Sequence, residues 1–267
     1  MLSGGQKRIQ PSAASQNGHL NDQTKIYLTV MSSKLITQPA VPSNHLLDLL
    51  PRRDKIRFSA ACEVVELPLA KVLSEPGKAT PFVYFPTSGF ISLIAIVKDS
   101  PGVEVGMVGR EGMLGVQLAL GVAKAPLHAL VQGAGTALRI STKNFKAELA
   151  ASPALQSALL RYLYVLMAQL AESTACARFH HIGPRLARWL LMSQDRSQAS
   201  SFDVTQEFLA YMLGVRRVGI TEAAGSMQKT GLISYSRGKL TVLNRKGLEH
   251  VACGCYASDQ KTYAELL

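Results

Sequence analysis

The sequence predicts an α+β protein: a jelly-roll-like antiparallel β-roll, then one long helix, then a C-terminal winged helix-turn-helix. Three observations carry this prediction. Short β-branched runs alternate with turn residues between residues 61 and 150, a leucine repeat follows Ser152, and residues 206–243 have the pattern of two helices and a hairpin. The 267 residues, 47% of them apolar, are enough to bury a sizeable core.

Residues 1–42 are polar and lack helical or strand periodicity, so we expect a mobile tail, with Met31 as an alternative start of translation. This segment has no apolar core of the kind a signal peptide needs. The most apolar stretch, Pro153–Ala171, is interrupted by polar residues and predicts no membrane span. The four scattered cysteines favour reduced thiols, and we expect a cytoplasmic protein.

Residues 43–151 are predicted to form the roll. Strands of about five residues, separated by Gly, Pro and Asp-Ser turns and without long helices between them, indicate an antiparallel sandwich or roll. The predicted strands are Glu63–Leu69, Phe82–Phe85, Gly89–Val97, Val103–Val108, Leu127–Gln132 and Thr136–Ile140. A short helix over Lys143–Ala150 is expected to close this region.

Residues 152–182 are predicted to form the long helix, with Ser152 as its N-cap and Pro153 in its first turn. Leucines recur every three or four residues: Leu155, Leu159, Leu163, Leu166 and Leu170. The apolar arc is too wide to be covered by the roll alone, so these leucines are predicted to form a homodimer interface. The alternative is a long core helix of a monomer.

Residues 183–250 are predicted to form the winged region. Pro184 begins a helix that contains the single Trp, and the polar residues Ser193–Ser201 follow as a loop. Helical patterns then cover Gln206–Gly214 and Val215–Gly225. Residues 251–267 are expected to be a C-terminal helix or tail.

The side chains at the turn fit a helix-turn-helix. Ala210 is small enough for close helix approach, Gly214 can adopt the left-handed conformation, and Ile220 fills the space between the helices. The outward residues can contact base edges or phosphates, and they are Arg216, Arg217, Thr221 and Glu222. The alternative is a helical hairpin in an ordinary bundle.

Gly231–Leu243 has the pattern strand, Arg-Gly turn, strand, which predicts a wing with Arg237 and Lys239 at its tip, placed for phosphates. The formal net charge is +11, and residues 178–250 contain eleven Lys/Arg against five Asp/Glu. This basic excess favours a polyanion as the partner, and together with the wing it predicts binding of double-stranded DNA.

The order of roll, long helix and winged helix-turn-helix resembles the Crp/Fnr family of bacterial transcription regulators, over roughly His45 to His250. The resemblance is clearest in Gly183–Leu191 and Val204–Ile233. It implies a homodimer on a palindromic operator, a sensing roll and, for an activator, contact with RNA polymerase. It also assigns Arg217 to the start of base readout. The next family positions, often Glu and Arg, are here Val218 and Glu222, so the operator sequence does not transfer.

Gly106–Gly115 resembles the start of the family's phosphate-binding cassette, which points to Gly109, Arg110, Glu111 and Gly112 as effector-binding residues. The arginine expected near Leu127-His128 is missing, and a buried phosphate without a cation is costly. Lys124 or Arg110 would have to replace it, with His128 nearby. We therefore expect either an unknown small effector other than cyclic AMP or no effector. The alternative for the glycines is tight turns.

No catalytic constellation is evident, and the protein is not expected to be an enzyme. A metal-dependent roll enzyme needs several His, whereas His128 is the only His in the predicted strands. His250, Cys253 and Cys255 are metal-binding types without an evident fourth ligand, so no metal or cofactor is predicted. The other function left open is a ligand-binding roll whose winged region docks on a protein.

Overall fold

The computed structural model describes residues 43–98 and 102–267. The predicted mobile tail and Met31 lie outside the described residues. Two short helices, α1 (His45–Asp48) and α2 (Arg52–Ala60), precede the roll. Asn44 caps α1, and its Nδ2 donates to the carbonyls of Pro86 and Gly112 at 2.9 Å each, which anchors α1 to the roll.

The roll consists of two antiparallel sheets. The sheet of order β1-β7-β3 contains β1 (Glu63–Leu67), β3 (Phe82–Pro86) and β7 (Gly135–Ser141). The sheet of order β2-β6-β4-β5 contains β2 (Val72–Ser74), β4 (Phe90–Ala95), β5 (Val103–Val108) and β6 (His128–Gly133). All six predicted strands are confirmed to within two residues at each end. The unpredicted β2 has three residues, too few to show alternation in the sequence.

Two helices close the roll, α3 (Thr142–Ala151) and the long α4 (Pro153–Phe179). Ser152 caps α4 as predicted, its Oγ accepting from the Leu155 amide at 3.1 Å. The core between the sheets and α4 includes an edge-to-face contact of Phe58 and Phe85, with ring centroids 5.2 Å apart. Among the described helices, none combines the length and apolarity that crossing a membrane requires.

The prediction that all five leucines of α4 face a second copy is wrong. Leu155, Leu159 and Leu166 are buried in this chain's own core, and Leu163 and Leu170 pack partly against it. The physical reason is that one stripe of α4 is consumed by the roll, so these leucines have little surface left for a partner.

A second apolar stripe of α4 faces solvent instead. Leu160, Tyr164 and Met167 are 58%, 62% and 61% exposed and recur at spacings of four and three residues. Large apolar side chains at this spacing are the surface on α4 that a partner can cover.

The C-terminal region has five helices and a three-stranded sheet of order β8-β10-β9. Its elements are α5 (Ile182–Ser197), β8 (Ser201–Asp203), α6 (Gln206–Leu213), α7 (Arg217–Lys229), β9 (Ile233–Ser236), β10 (Lys239–Val242), α8 (Arg245–Val251) and α9 (Cys255–Leu266). The predicted start of α5 at Pro184 and the loop over Ser193–Ser201 are corrected. The helix continues to Ser197 because the polar Ser193 and Arg196 face inward.

The outer face of the four-stranded sheet is buried by the C-terminal region. Phe90, Ile94 and Met107 share a core with Trp189 of α5 and Leu209 of α6. This sheet is therefore covered on both faces, which explains why the first five residues of β4 are all buried rather than alternately buried and exposed.

Glu104 of β5 lies at this contact, near Ser92 and Trp189, and burial raises the pKa of its carboxyl from 4.5 to about 7. The folded protein therefore holds an extra proton between these values, and stability is lost as pH rises through that window. As the pH rises from 5 to 8, the free energy of unfolding of the wild type is expected to fall by about 1–3 kcal/mol relative to that of Glu104→Gln, because the glutamine has no proton to lose. Urea unfolding at both pH values measures this, with the exposed Glu66→Gln as control. An equal effect of Glu104→Gln at both pH values would contradict the prediction.

Candidate nucleic-acid interface

The turn between α6 and α7 has the predicted geometry. Gly214 adopts φ 61°, in the left-handed region, and the next amide, of Val215, donates to the Ala210 carbonyl at 3.0 Å. Ala210 and Ile220 are buried where the two helices meet. The spacing in the sequence therefore predicted the positions of Ala210, Gly214 and Ile220 correctly.

All six residues predicted to contact DNA are exposed: Arg216, Arg217, Thr221, Glu222, Arg237 and Lys239. Arg216 is the N-cap residue of α7, and Arg217 begins the helix. Since Arg217 and Thr221 are four residues apart, they lie on the same face of α7. Val218, 60% exposed, lies on the outer surface of the same helix.

The wing is the β9–β10 hairpin, closed by a two-residue turn at Arg237 and Gly238. Both residues have positive φ, 49° and 80°, as a type I′ turn requires. Lys239 pairs with Ser236 across the hairpin and with Asp203 of β8 on its other side. The third strand, which the sequence did not indicate, therefore supports the wing along its length.

A cleft of about 500 Å³ separates α6, the start of α7 and the wing. It is lined by Thr205, Gln206, Glu207, Arg217, Tyr235, Ser236, Arg237 and Gly238. The fold thus places Arg217 of the helix and Arg237 of the wing on one concave surface. Gln206 and Tyr235 were missed by the sequence analysis because nothing local shows that α6 and β9 border this cleft.

The polar contacts across the cleft lie at the solvent-exposed surface. Arg217 Nη1 lies 3.9 Å from Glu207 Oε2, and both side chains are exposed, so this ion pair contributes little. Thr221 Oγ1 donates to Gln206 Oε1 at 2.7 Å. The surface therefore offers a guanidinium, a hydroxyl and an amide to an incoming polyanion.

The six predicted effector-binding residues do not form one site. Gly109, Arg110, Glu111 and Gly112 follow β5, beyond the pair Val108 and Ile91, whereas His128 pairs with Ile94 three residues further along β4. Three strand residues correspond to about 10 Å. Lys124 is exposed and forms an isolated bridge with Ala79, outside the cassette segment.

The polar groups of the cassette-like segment are already bonded to other groups of this chain. Glu111 Oε1 lies 2.8 Å from Nε of the buried Arg196 of α5 and accepts from the Gly109 amide at 3.0 Å. Arg110 Nη2 contacts His45 Nε2 at 2.9 Å. A Cβ at Gly112 would lie 2.4 Å from the Tyr162 ring, so this glycine provides space for α4 rather than for a phosphate.

A separate cavity of about 410 Å³ lies between the roll and α4. Most of its lining is apolar and includes Phe82, Leu93, Met113, Leu114, Leu127, Leu163 and Leu170, and none of the described residues lining it is charged. Its polar groups have protein partners: Gln117 Nε2 donates to Thr80 Oγ1 at 2.9 Å, and Ser74 Oγ donates to the Leu127 carbonyl at 3.2 Å. The cavity thus suits an apolar molecule.

Comparisons with known proteins agree with this arrangement. Residues 184–251 match the family model of the Crp-like helix-turn-helix domain. No curated protein matches the chain. Solved structures with the same fold include FixK2 from Bradyrhizobium japonicum, with 11% identity, a TM-score of 0.61, and coverage of 72% of this chain and 98% of FixK2.

Two further structures have similar coverage. A Crp/Fnr-family transcriptional regulator from Thermus thermophilus is 20% identical, with a TM-score of 0.58, over 71% of this chain and 98% of that protein. The c-di-GMP-responsive global regulator CLP from Xanthomonas campestris is 18% identical, with a TM-score of 0.59, over 72% and 99%. The chain therefore contains a Crp-like helix-turn-helix domain over residues 184–251 and has the fold of a solved Crp/Fnr-family regulator.

Proposed function

We propose that the protein acts as a homodimer that reads a palindromic DNA site, with α7 of each protomer in the major groove and each wing on the phosphate backbone. The observation that carries this proposal is the concave surface shared by Arg217 of α7 and Arg237 of the wing. Arginine can bond guanine O6 and N7 with two parallel hydrogen bonds, whereas wing cations contact phosphates irrespective of sequence.

The exposed stripe of Leu160, Tyr164 and Met167 supports the dimer, because covering it removes a continuous apolar surface from water. A second copy of α4 presents the same stripe, so two copies of the stripe can pair with each other about a two-fold axis. Two recognition helices related in this way bind half-sites about 34 Å apart, one turn of DNA.

Selection of bound sequences from a random DNA pool tests this proposal, with the purified full-length protein and no added ligand. We expect a two-fold-symmetric consensus whose half-sites are about one helical turn apart. Affinity should fall steeply with salt, because binding releases counterions from several phosphates. If no sequence is enriched and binding is insensitive to salt, the proposal fails.

Arg217→Ala is expected to cost about 1–3 kcal/mol on the selected site and to relax its base preference. Lys239→Ala is expected to weaken binding to specific and random DNA alike, because Lys239 contacts only phosphate. Fluorescence anisotropy on both DNAs at several salt concentrations measures the two effects. Equal losses on both DNAs for Arg217→Ala would contradict its role in base readout.

We further propose that the cavity beneath the roll takes a small apolar effector rather than cyclic AMP. Its lining includes Leu163 and Leu170 of α4, so an occupant contacts the helix that carries the dimer stripe. An effector that binds one orientation of the C-terminal region more tightly shifts the population towards it.

The neutral dye N-phenyl-1-naphthylamine tests this cavity, because its fluorescence rises in apolar surroundings. We expect saturable binding that Leu127→Glu abolishes by placing a charge in the lining, and no thermal stabilisation by cyclic AMP. Val122→Glu is the matched control, since Val122 is 50% exposed and outside the lining. Stabilisation by cyclic AMP, or equal dye loss in both variants, would contradict the assignment.

A further inference from the structure

Four metal-ligand side chains lie together where α4 ends. Cys176 and His180 belong to the end of α4, whereas Cys253 and Cys255 flank the start of α9. The three sulfur atoms and one imidazole nitrogen all lie within 4.8 Å of one another. His250, which is near the last two cysteines in the sequence, is exposed and outside this group.

The separations are close to those of a tetrahedral zinc site. Cys176 Sγ lies 3.5 Å from Cys253 Sγ, and Cys255 Sγ lies 3.4 Å from His180 Nδ1. With Zn–S near 2.3 Å and Zn–N near 2.0 Å, tetrahedral ligand atoms are about 3.5–3.8 Å apart. Small side-chain movements are therefore sufficient to place all four atoms around one ion.

Local backbone structure holds the ligands in place. Cys176 and His180 are four residues apart, and the His180 amide donates to the Cys176 carbonyl at 3.1 Å, so the two side chains share one face of the last helical turn. On the other side, the Tyr256 amide donates to the Cys253 carbonyl at 3.1 Å. This turn directs both cysteines of the Cys-Gly-Cys segment towards α4.

The burial of the three cysteines and the charge around them also suit a metal ion bound by several thiolates. The three cysteines are buried while His180 is exposed, so solvent reaches the group from one side. Zn²⁺ with three thiolates and a neutral imidazole carries one negative charge, and Arg188, held by Asp259 at 2.6 Å, acts electrostatically on Cys176.

We propose that Cys176, His180, Cys253 and Cys255 bind one Zn²⁺ and that this ion ties the end of α4 to the start of α9. The link between α4 and α5 is His180-His181, so the ion restrains the hinge between the long helix and the winged region. The metal adds binding free energy to the folded arrangement of these two segments.

Metal analysis of the untagged full-length protein, purified under reducing conditions without chelator, tests the proposal. We expect about one zinc per chain by inductively coupled plasma mass spectrometry. Exchange with Co²⁺ should produce thiolate-to-cobalt charge-transfer absorption and the intense visible bands of a tetrahedral site. His180→Gln is the mildest variant, because His180 is exposed and its replacement leaves no cavity.

His180→Gln should weaken zinc binding at least about tenfold and alter the visible cobalt bands while keeping the charge-transfer absorption. Cys255→Ser should reduce that absorption as well. Cys62→Ser and His250→Gln are matched controls that should retain full zinc, because neither residue belongs to the group. Circular dichroism of each variant tests whether it is folded.

Zinc removal should increase hydrogen exchange in residues 176–184 and 251–258 more than in the roll. Absence of stoichiometric zinc and of the cobalt spectrum would overturn the zinc site, and so would an equal loss of zinc in a control variant. Iron with acid-labile sulfide, or a Cys176–Cys253 disulfide in anaerobically purified protein, would also overturn it. Unchanged exchange at the hinge after zinc removal overturns the restraint.

Discussion

Glu111→Gln is expected to lower the free energy of unfolding by about 3–5 kcal/mol, because it leaves a buried guanidinium without its counter-charge. Arg196 is 6% exposed, and its Nε lies 2.8 Å from Glu111 Oε1. The pair joins the end of β5 to α5, so its loss weakens the contact between the roll and the C-terminal region. Urea unfolding at pH 7 measures the change.

The double variant Glu111→Gln with Arg196→Met should be more stable than Glu111→Gln alone, since removing both charges leaves none buried and unpaired. Glu265→Gln serves as the matched control. Its partner Lys261 is exposed and 3.8 Å away, so the expected change is within about 0.5 kcal/mol. If Glu111→Gln costs no more than this control, the buried pair does not stabilise the contact.

Ile220→Ala is expected to lower the unfolding free energy by about 2–5 kcal/mol, because it leaves a cavity where α6 and α7 cross. Ile220 is fully buried in the core that also contains Ala210 and Leu213. Since the cavity lies beneath the recognition helix, DNA affinity should fall too, through lost order in α7. Urea unfolding and DNA binding of the same preparation separate the two effects.

Val218→Ala is the control for this substitution, because Val218 lies on α7 and is 60% exposed. It should change the unfolding free energy by less than about 0.5 kcal/mol. A similar loss in both variants would contradict the role of packing between α6 and α7, since alanine has the higher helix propensity and does not itself destabilise α7.

Local geometry explains how much of the fold was predictable. Ala210, Gly214 and Ile220 lie within one turn and two short helices, so their spacing alone indicates how the helices cross. The wing is equally local, because Arg237 and Gly238 form the two-residue turn of a hairpin. The third strand, β8, was missed, since its partner β10 is distant in sequence and its three residues show no pattern of their own.

Long-range contacts explain the wrong site predictions. The cassette-like segment indicated an effector-binding Glu111, but this carboxylate pairs with Arg196, which α5 brings from the far part of the chain. Similarly, a sequence shows His250 beside Cys253, whereas the fold places His180 there instead. Neither partner can be found from spacing, because nothing local encodes which surfaces of the roll and the C-terminal helices meet.

The order of roll, long helix and winged helix-turn-helix could be predicted from local patterns, as could the basic residues on the surface of the winged region, because periodicity, capping and turn chemistry act over a few residues. Tertiary structure alone decided which stripe of α4 remains exposed, which groups surround Glu111, and that four metal-ligand side chains meet at the hinge. These features depend on which apolar faces cover one another, and that choice is made by packing the whole chain rather than by any local segment.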